Sequence, residues 1–410
     1  MNKNTESITV KASSLNTLNK RNSSVDIIRI LAFCNVVLTH FFIFSGFYDT
    51  EMVGPTALFM SIIRSFGVTC VPLFMLMTGF LMNKKQLSVK YYSGIKSTLG
   101  AYFYASIICY VYNCLSADET MSIAGFTKDL FSFSAAKYSW YIEMYIGLFI
   151  LIPFLNIIWN NLPSKKHRLA LIGTLCFLVT APQSFNIFVF NVEGWWKQPS
   201  MSNAFTQIFP DYWTDIYPVM YYFIGCYIKE YGIKINKWLN LVLIVGLTAF
   251  FGCYCYYRSS PGFFLKGGWQ KYSSMLLAAL AILIFVFILN LNVEFRTSRS
   301  RKWSRALADL CLAAYLVSYA VDSVIYAAFN ELMPITEEKY KWITLIVVVP
   351  INIAVSFVFA FIINKVTKIS LNGLSKITQL IGRAYASAKP RKADETEEEA
   401  EEIIELLEEN

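Results

Sequence analysis

Charge is scarce in this sequence. Asp, Glu, Lys and Arg make up 16% of 410 residues, against about 25% in ordinary soluble domains. With 56% apolar residues and a mean hydropathy of +0.46, a soluble globular protein is excluded and a polytopic membrane protein is expected. Histidine is scarcer still, at two residues, His40 and His167. No GxSxG, P-loop, GxGxxG or HExxH pattern occurs, so no soluble catalytic module of those kinds is expected. The nine cysteines include no CxxC. Cys34, Cys70, Cys109, Cys176, Cys226 and Cys311 fall in apolar runs and read as packing residues, with no disulfide framework and no metal site. A removable signal peptide is not expected either, because residues 1–24 are polar, contain Lys20 and Arg21, and lead into a full-length span.

Ten apolar runs have the roughly 20 residues that a hydrocarbon core of about 30 Å demands of a helix. They lie near 25–46, 57–82, 95–116, 138–158, 168–190, 213–231, 237–257, 271–291, 304–328 and 341–364. Pro182 interrupts the fifth, whose outer end is expected to be irregular. An all-α fold of about ten transmembrane helices follows, with a polar N-terminus at 1–24, a membrane domain at 25–365 and a tail at 366–410. Placing the N-terminus in the cytoplasm puts 26 of the 36 Lys and Arg residues on inner segments. By the positive-inside rule both termini are then cytoplasmic.

The net charge of +8 is a difference of opposed parts, because Asp394–Asn410 contains ten acids and no base. The remaining positive charge lies mostly on inner loops and reads as contact with anionic lipid, with no nucleic-acid partner. Ile403, Ile404, Leu406 and Leu407 form a short amphipathic strip within the acidic tail, which reads as a solvated helical end or an added segment.

The first span, VDIIRILAFCNVVLTHFFIFSG, carries Asp26, Arg29 and His40. An ionisable group within a span is costly unless it meets a partner or a polar cavity, and so marks function. Arg29 and His40 are eleven positions apart, which places both on one helix face about 16 Å apart along the axis. Since His167 sits in the basic loop SKKHR, any imidazole chemistry inside the membrane falls to His40. Counting from the span ends brings Glu143 and Arg64 to roughly the depth of His40, about 8 to 10 Å below the outer boundary. Asp322 falls close to that boundary. Each has a structural alternative: Glu143 and Arg64 as an ion pair between helices, Asp322 as an interfacial residue reaching water, and Arg29 as a snorkelling cation or a partner of Asp26.

The pattern Asp26-x-x-Arg29 followed by ten residues and His40 resembles the opening helix of the acyltransferase-3 family of membrane acyltransferases. VPLFMLMTGFLM at 71–82 resembles that family's second helix, YSWYIEMYIGLFILIPFLN at 138–156 its fourth and YPVMYYFIGCYIKEY at 217–231 its sixth. The likeness spans nearly all of 25–365. It implies transfer of an acyl group, usually acetyl, from cytoplasmic acetyl-CoA to a glycan acceptor outside or on the outer leaflet. The resemblance further implies a bacterial plasma membrane as the setting and polysaccharide-assembly proteins as further partners.

On that resemblance, Arg29, Lys96 and Asp26 belong to the donor-binding end. His40 serves either as general base or as a covalent acyl carrier, Glu143 orients it and Arg64 stabilises the oxyanion. Trp140, Asp322, Trp195 and Trp196 are candidates for the acceptor, although the tryptophans also suit an interfacial aromatic belt. The chain departs from the family pattern at Tyr138 and Ser139, where a histidine often precedes the fourth-helix tryptophan, and at Ser318, which takes the place of a ninth-helix histidine. Only lysines (Lys84, Lys85, Lys90, Lys96) follow the second span, and they hold phosphate as point charges. A transporter or flippase of a small solute or lipid-linked sugar is the competing reading, since intramembrane Arg, His and Glu also suit a proton relay. A structural subunit of an export complex is a third.

Overall fold

The computed structural model describes residues 22–189, 204–295 and 297–388, with side chains described as far as 381. Inside hydrocarbon each backbone amide must be satisfied within its own segment, and the apolar runs accordingly form helices. Nine helices among the described residues are long and apolar enough to cross a membrane. The first described helix is α1 (Ser23–Phe44), capped where the Asn22 side chain accepts from the Ser24 amide. The second expected span is two helices, α2 (Gly54–Gly67) and α3 (Cys70–Met82). At the break the Val68 and Thr69 amides turn to the Arg64 and Phe66 carbonyls, and α1 braces it from the side, where Asn35 Nδ2 donates to Thr69 Oγ1 at 3.1 Å and to the Phe66 carbonyl at 3.5 Å.

The short α4 (Val89–Ser93) precedes α5 (Lys96–Ala117). Residues 117–137, expected as a simple outer loop, instead contain α6 (Ile123–Phe131), which folds back along α5. Phe126 packs edge-on against both Tyr110 and Phe103, and Tyr102 Oη donates to the Leu130 carbonyl at 2.6 Å. The chain then climbs back through the buried Ala135 and Ala136 to Tyr138. No apolar run long enough to mark this detour occurs in residues 117–137, because α6 borrows its cover from the tyrosines of α5.

Beyond it come α7 (Trp140–Asn161), α8 (Lys165–Phe185), α9 (Tyr217–Tyr231), α10 (Lys237–Ser259), α11 (Met275–Asn290) and α12 (Ser298–Leu332). The sixth span is shorter than expected: α9 has 15 residues, about 22 Å, and is not among the nine full-length spans. It instead packs closely along α3, with most of its side chains buried. The last span runs from α13 (Glu338–Ile343) through a π-helical turn, Thr344–Val348, into α14 (Val349–Ala388).

Without a hydrophobic difference between lipid and protein, these helices associate through close packing of small residues. A Cβ at Gly79 on α3 would lie 1.9 Å from the Tyr222 carbonyl oxygen of α9, and one at Gly225 on α9 would lie 2.2 Å from that of Leu76. Both positions therefore need glycine for the two backbones to meet. Gly252 of α10 plays the same part against Ile62 of α2. Around α1 stand α3, α12, α11 and α14, so α1 is central, and its buried face includes Phe33, Val37, His40 and Phe41.

Candidate active site

Three helices converge on the C-terminal half of α1. The His40 side chain is 10% exposed and Asp322 of α12 is fully buried, with His40 Nδ1 3.0 Å from Asp322 Oδ2. Asn352 Nδ2 of α14 donates to Asp322 Oδ1 at 2.9 Å. Tyr138, at the head of α7, donates its hydroxyl to Asp322 Oδ2 at 3.4 Å and stacks on the His40 ring with centroids 3.6 Å apart. A carboxylate withdrawn from water needs both oxygens occupied, and here both are. With Nδ1 directed at the carboxylate, the proton belongs on Nδ1 and the lone pair on Nε2, which has no hydrogen-bond partner among the described residues. The result is a base held in one tautomer by a buried acid, with its second nitrogen free for a reacting proton.

Asp322 thus corrects the expected geometry twice. It is the partner of His40 and not an interfacial residue reaching water, because α12 continues ten residues past it and keeps it inside the bundle. The expected orienting carboxylate, Glu143, lies on the exposed face of α7 and forms no hydrogen bond or ion pair among the described residues. The structural alternative, a Glu143–Arg64 ion pair, is not formed either. Arg64 is buried on α2, donates from Nε to Tyr48 Oη at 2.9 Å and lies with its guanidinium carbon 4.5 Å from the centre of the Phe264 ring. Neither Arg64 nor Glu143 is a partner of His40.

Below His40, a cavity of about 320 Å³ extends from Val36, one turn down α1, to Arg29. Its walls are largely apolar, with Thr78, Thr98, Tyr141, Tyr145 and Tyr315 as polar points. Tyr315 Oη donates to the backbone carbonyl of Tyr138, which ties the upper end of the cavity to the residue stacked on His40. At the lower end Arg29 Nη1 lies 3.7 Å from Asp309 Oδ1, so Arg29 pairs with α12 and not with Asp26. Asp26 itself is buried, at 2% exposure. Lys96 does not share this cavity; it is exposed at the start of α5 and lines a separate groove between α5, α6 and α14.

Trp140 is 40% exposed and stacks on Tyr272 with centroids 5.7 Å apart. Trp195 and Trp196 lie outside the described residues. Ser318, in the place of the family histidine, donates to the Tyr315 carbonyl of its own helix at 2.8 Å and adds nothing to the His40 cluster. Sequence reasoning missed Asn352 and Asp309. The signal for Asn352 was an amide in the apolar run VVVPINIAV, and for Asp309 an acid thirteen residues before Asp322 on one helix.

No curated protein and no solved structure matches this chain. A family model described as an acyltransferase domain, Acyl_transf_3, matches residues 22–365, the whole span from the cap of α1 into α14. The paired His40, the long cavity beneath it and this match lead to one conclusion: the chain belongs to the acyltransferase-3 family of multi-pass membrane proteins.

Proposed function

We propose that the protein transfers an acyl group, acetyl by family likeness, from acyl-CoA on the cytoplasmic side to a hydroxyl of a glycan on the opposite side of a bacterial plasma membrane, with both termini cytoplasmic. The observation that carries this is the His40–Asp322 pair, one turn along α1 from Val36, where the 320 Å³ cavity that starts at Arg29 ends. The cavity's depth and apolar walls suit an extended thioester arm, and Arg29 at its lower end suits the phosphates of the donor.

In this reading His40 Nε2 takes the proton of the acceptor hydroxyl as its oxygen attacks the thioester carbonyl. Asp322 stabilises the imidazolium, and the tetrahedral intermediate collapses by breaking the C–S bond. The proton held on Nε2 then goes to the departing thiolate. One O–C bond forms, one C–S bond breaks, and the imidazole ends neutral. The Nδ1–Asp322 contact suits this direct route better than a covalent relay, because a general base gains most from an acid that stabilises its charged form.

Purified protein in nanodiscs, given acetyl-CoA and surface glycan from the producing cell, tests the reading. His40→Gln is expected to lower transfer by about 10³-fold or more and Asp322→Asn by about 10²- to 10⁴-fold. Transfer that survives His40→Gln, or solute flux without any acyl donor, overturns it.

A further inference from the structure

The groove between α5, α6 and α14 takes no part in the site at His40. It encloses about 980 Å³, roughly three times the volume of the cavity below His40. The first turns of α5 stand between the two: Thr98 lines the cavity, and Lys96, Leu99 and Phe103 line the groove. Its floor is the contact of α5 with α14. A Cβ at Gly100 would lie 2.6 Å from Thr367 Cγ2, and Tyr104 Oη shares a hydrogen bond with Ser370 Oγ.

The wall changes character along the helix axes. Beside and above the Gly100–Thr367 contact it is aromatic and aliphatic, with Phe103 of α5, Leu130 and Phe131 of α6, and Phe133. Phe131 is 77% exposed and Phe103 39%, so this part lies open at the side of the bundle. Towards the end at which α5 begins, the wall turns polar, interrupted by Leu371 and Leu374. Counted from the same contact, Lys96 lies about 6 Å in that direction, and Ser375 and Thr378 about 12 and 16 Å. Lys96 is the single charged residue lining the groove, and no acid lines it. It is exposed and forms no ion pair among the described residues.

An apolar trough that ends at a lone cation and a row of hydroxyls has the polarity of a membrane lipid read from chain to headgroup. The excess of one positive charge favours a lipid with a net negative headgroup. We propose that this groove seats one anionic phospholipid, its acyl chain on Phe103 and Phe131, its phosphate at Lys96 and its headgroup hydroxyls at Ser375 and Thr378. Lys96 then meets the phosphate of a lipid instead of that of the acyl donor, in accord with its separation from Arg29. The inference is independent of the acyl-transfer reading.

Full-length protein in detergent, titrated with phosphatidylglycerol or with phosphatidylcholine of the same chains, tests this when bound lipid is counted by native mass spectrometry. One phosphatidylglycerol is expected to bind about fivefold more tightly than one phosphatidylcholine, the worth of a single lysine beside an anionic headgroup. Lys96→Gln should bring the two lipids within about twofold. Ser375→Trp, which fills the polar end of the groove, should weaken both by about fivefold or more. Lys90→Gln, exposed on α4 and outside the groove wall, should leave the preference unchanged. All three replaced side chains are exposed, and an unaltered unfolding midpoint verifies that each variant folds. A preference that survives Lys96→Gln, binding indifferent to Ser375→Trp, or an equal loss in Lys90→Gln overturns the proposal. Displacement of the lipid by coenzyme A also overturns it, since Lys96 would then belong to the donor.

Discussion

Tyr138 performs two functions that a histidine in its place would combine differently. Its ring covers one face of His40, and its hydroxyl supplies one of the three hydrogen bonds on Asp322. The two contributions can be separated. Tyr138→Phe keeps the stacked ring and removes a long hydrogen bond, which at a net 0.5–1.5 kcal/mol corresponds to about a 2- to 10-fold loss of kcat. Tyr138→Ala also removes the ring that fixes the imidazole plane, and a loss larger than that of Tyr138→Phe is expected in the same assay. Asn352→Leu acts through the other oxygen. It leaves Asp322 Oδ1 buried without a donor, at a cost of about 1–3 kcal/mol. Thermal unfolding should report that destabilisation, while the kcat loss should track the loss from Asp322→Asn. If Asn352→Leu lowers stability without touching kcat, Asn352 supports the helix contact and not the base.

At the scale of elements, the placement of these residues depends on irregularities in otherwise regular helices. The break between α2 and α3 brings Thr69 beside Asn35, and the π-helical turn at Thr344–Val348 shifts the helical phase just before Asn352; such turns recur at functional sites. The seam between α3 and α9 holds the broken segment rigid. At Gly79 and Gly225 an added methyl would meet a carbonyl oxygen far inside contact distance. Overpacking of this kind costs about 1–3 kcal/mol, or more where backbone blocks relaxation. Gly79→Ala and Gly225→Ala should therefore lower the midpoint of thermal unfolding in detergent. Gly147→Ala on α7, with nothing within 4 Å, should leave that midpoint unchanged or slightly raised, as alanine is the better helix former. Equal effects at all three positions would mean that the two backbones do not meet at these glycines.

For the whole molecule, the sequence was most legible where the solvent dictates structure. Hydrocarbon imposes helices on apolar runs, so the positions of α1, α5, α7, α8, α10, α11, α12 and α14 followed from hydropathy. Hydropathy cannot see a break braced from a neighbouring helix, as Asn35 does, or a helix folded back on its predecessor, as α6 does. Within the site, Arg29 and His40 were visible because charge in a span is rare. Their partners were not, since depth counted along separate helices carries no information about which way each helix faces. That is why Glu143 and Asp322 exchanged roles.

Facing also decides the route to His40, which can be tested across the membrane. Thr98 on α5 lines the cavity that begins at Arg29. In a background where the exposed Cys253 and the half-buried Cys34 and Cys176 are serine, Thr98→Cys should react with a membrane-impermeant thiol reagent in inverted vesicles and not in right-side-out ones. Acetyl-CoA should slow that reaction at least fivefold if the donor occupies the cavity, and modified protein should lose transfer. The same label on Asn161→Cys, exposed at the end of α7, should be indifferent to acetyl-CoA. Protection at both positions, or at neither, would place the donor elsewhere and remove the reason for the shared face of Arg29 and His40.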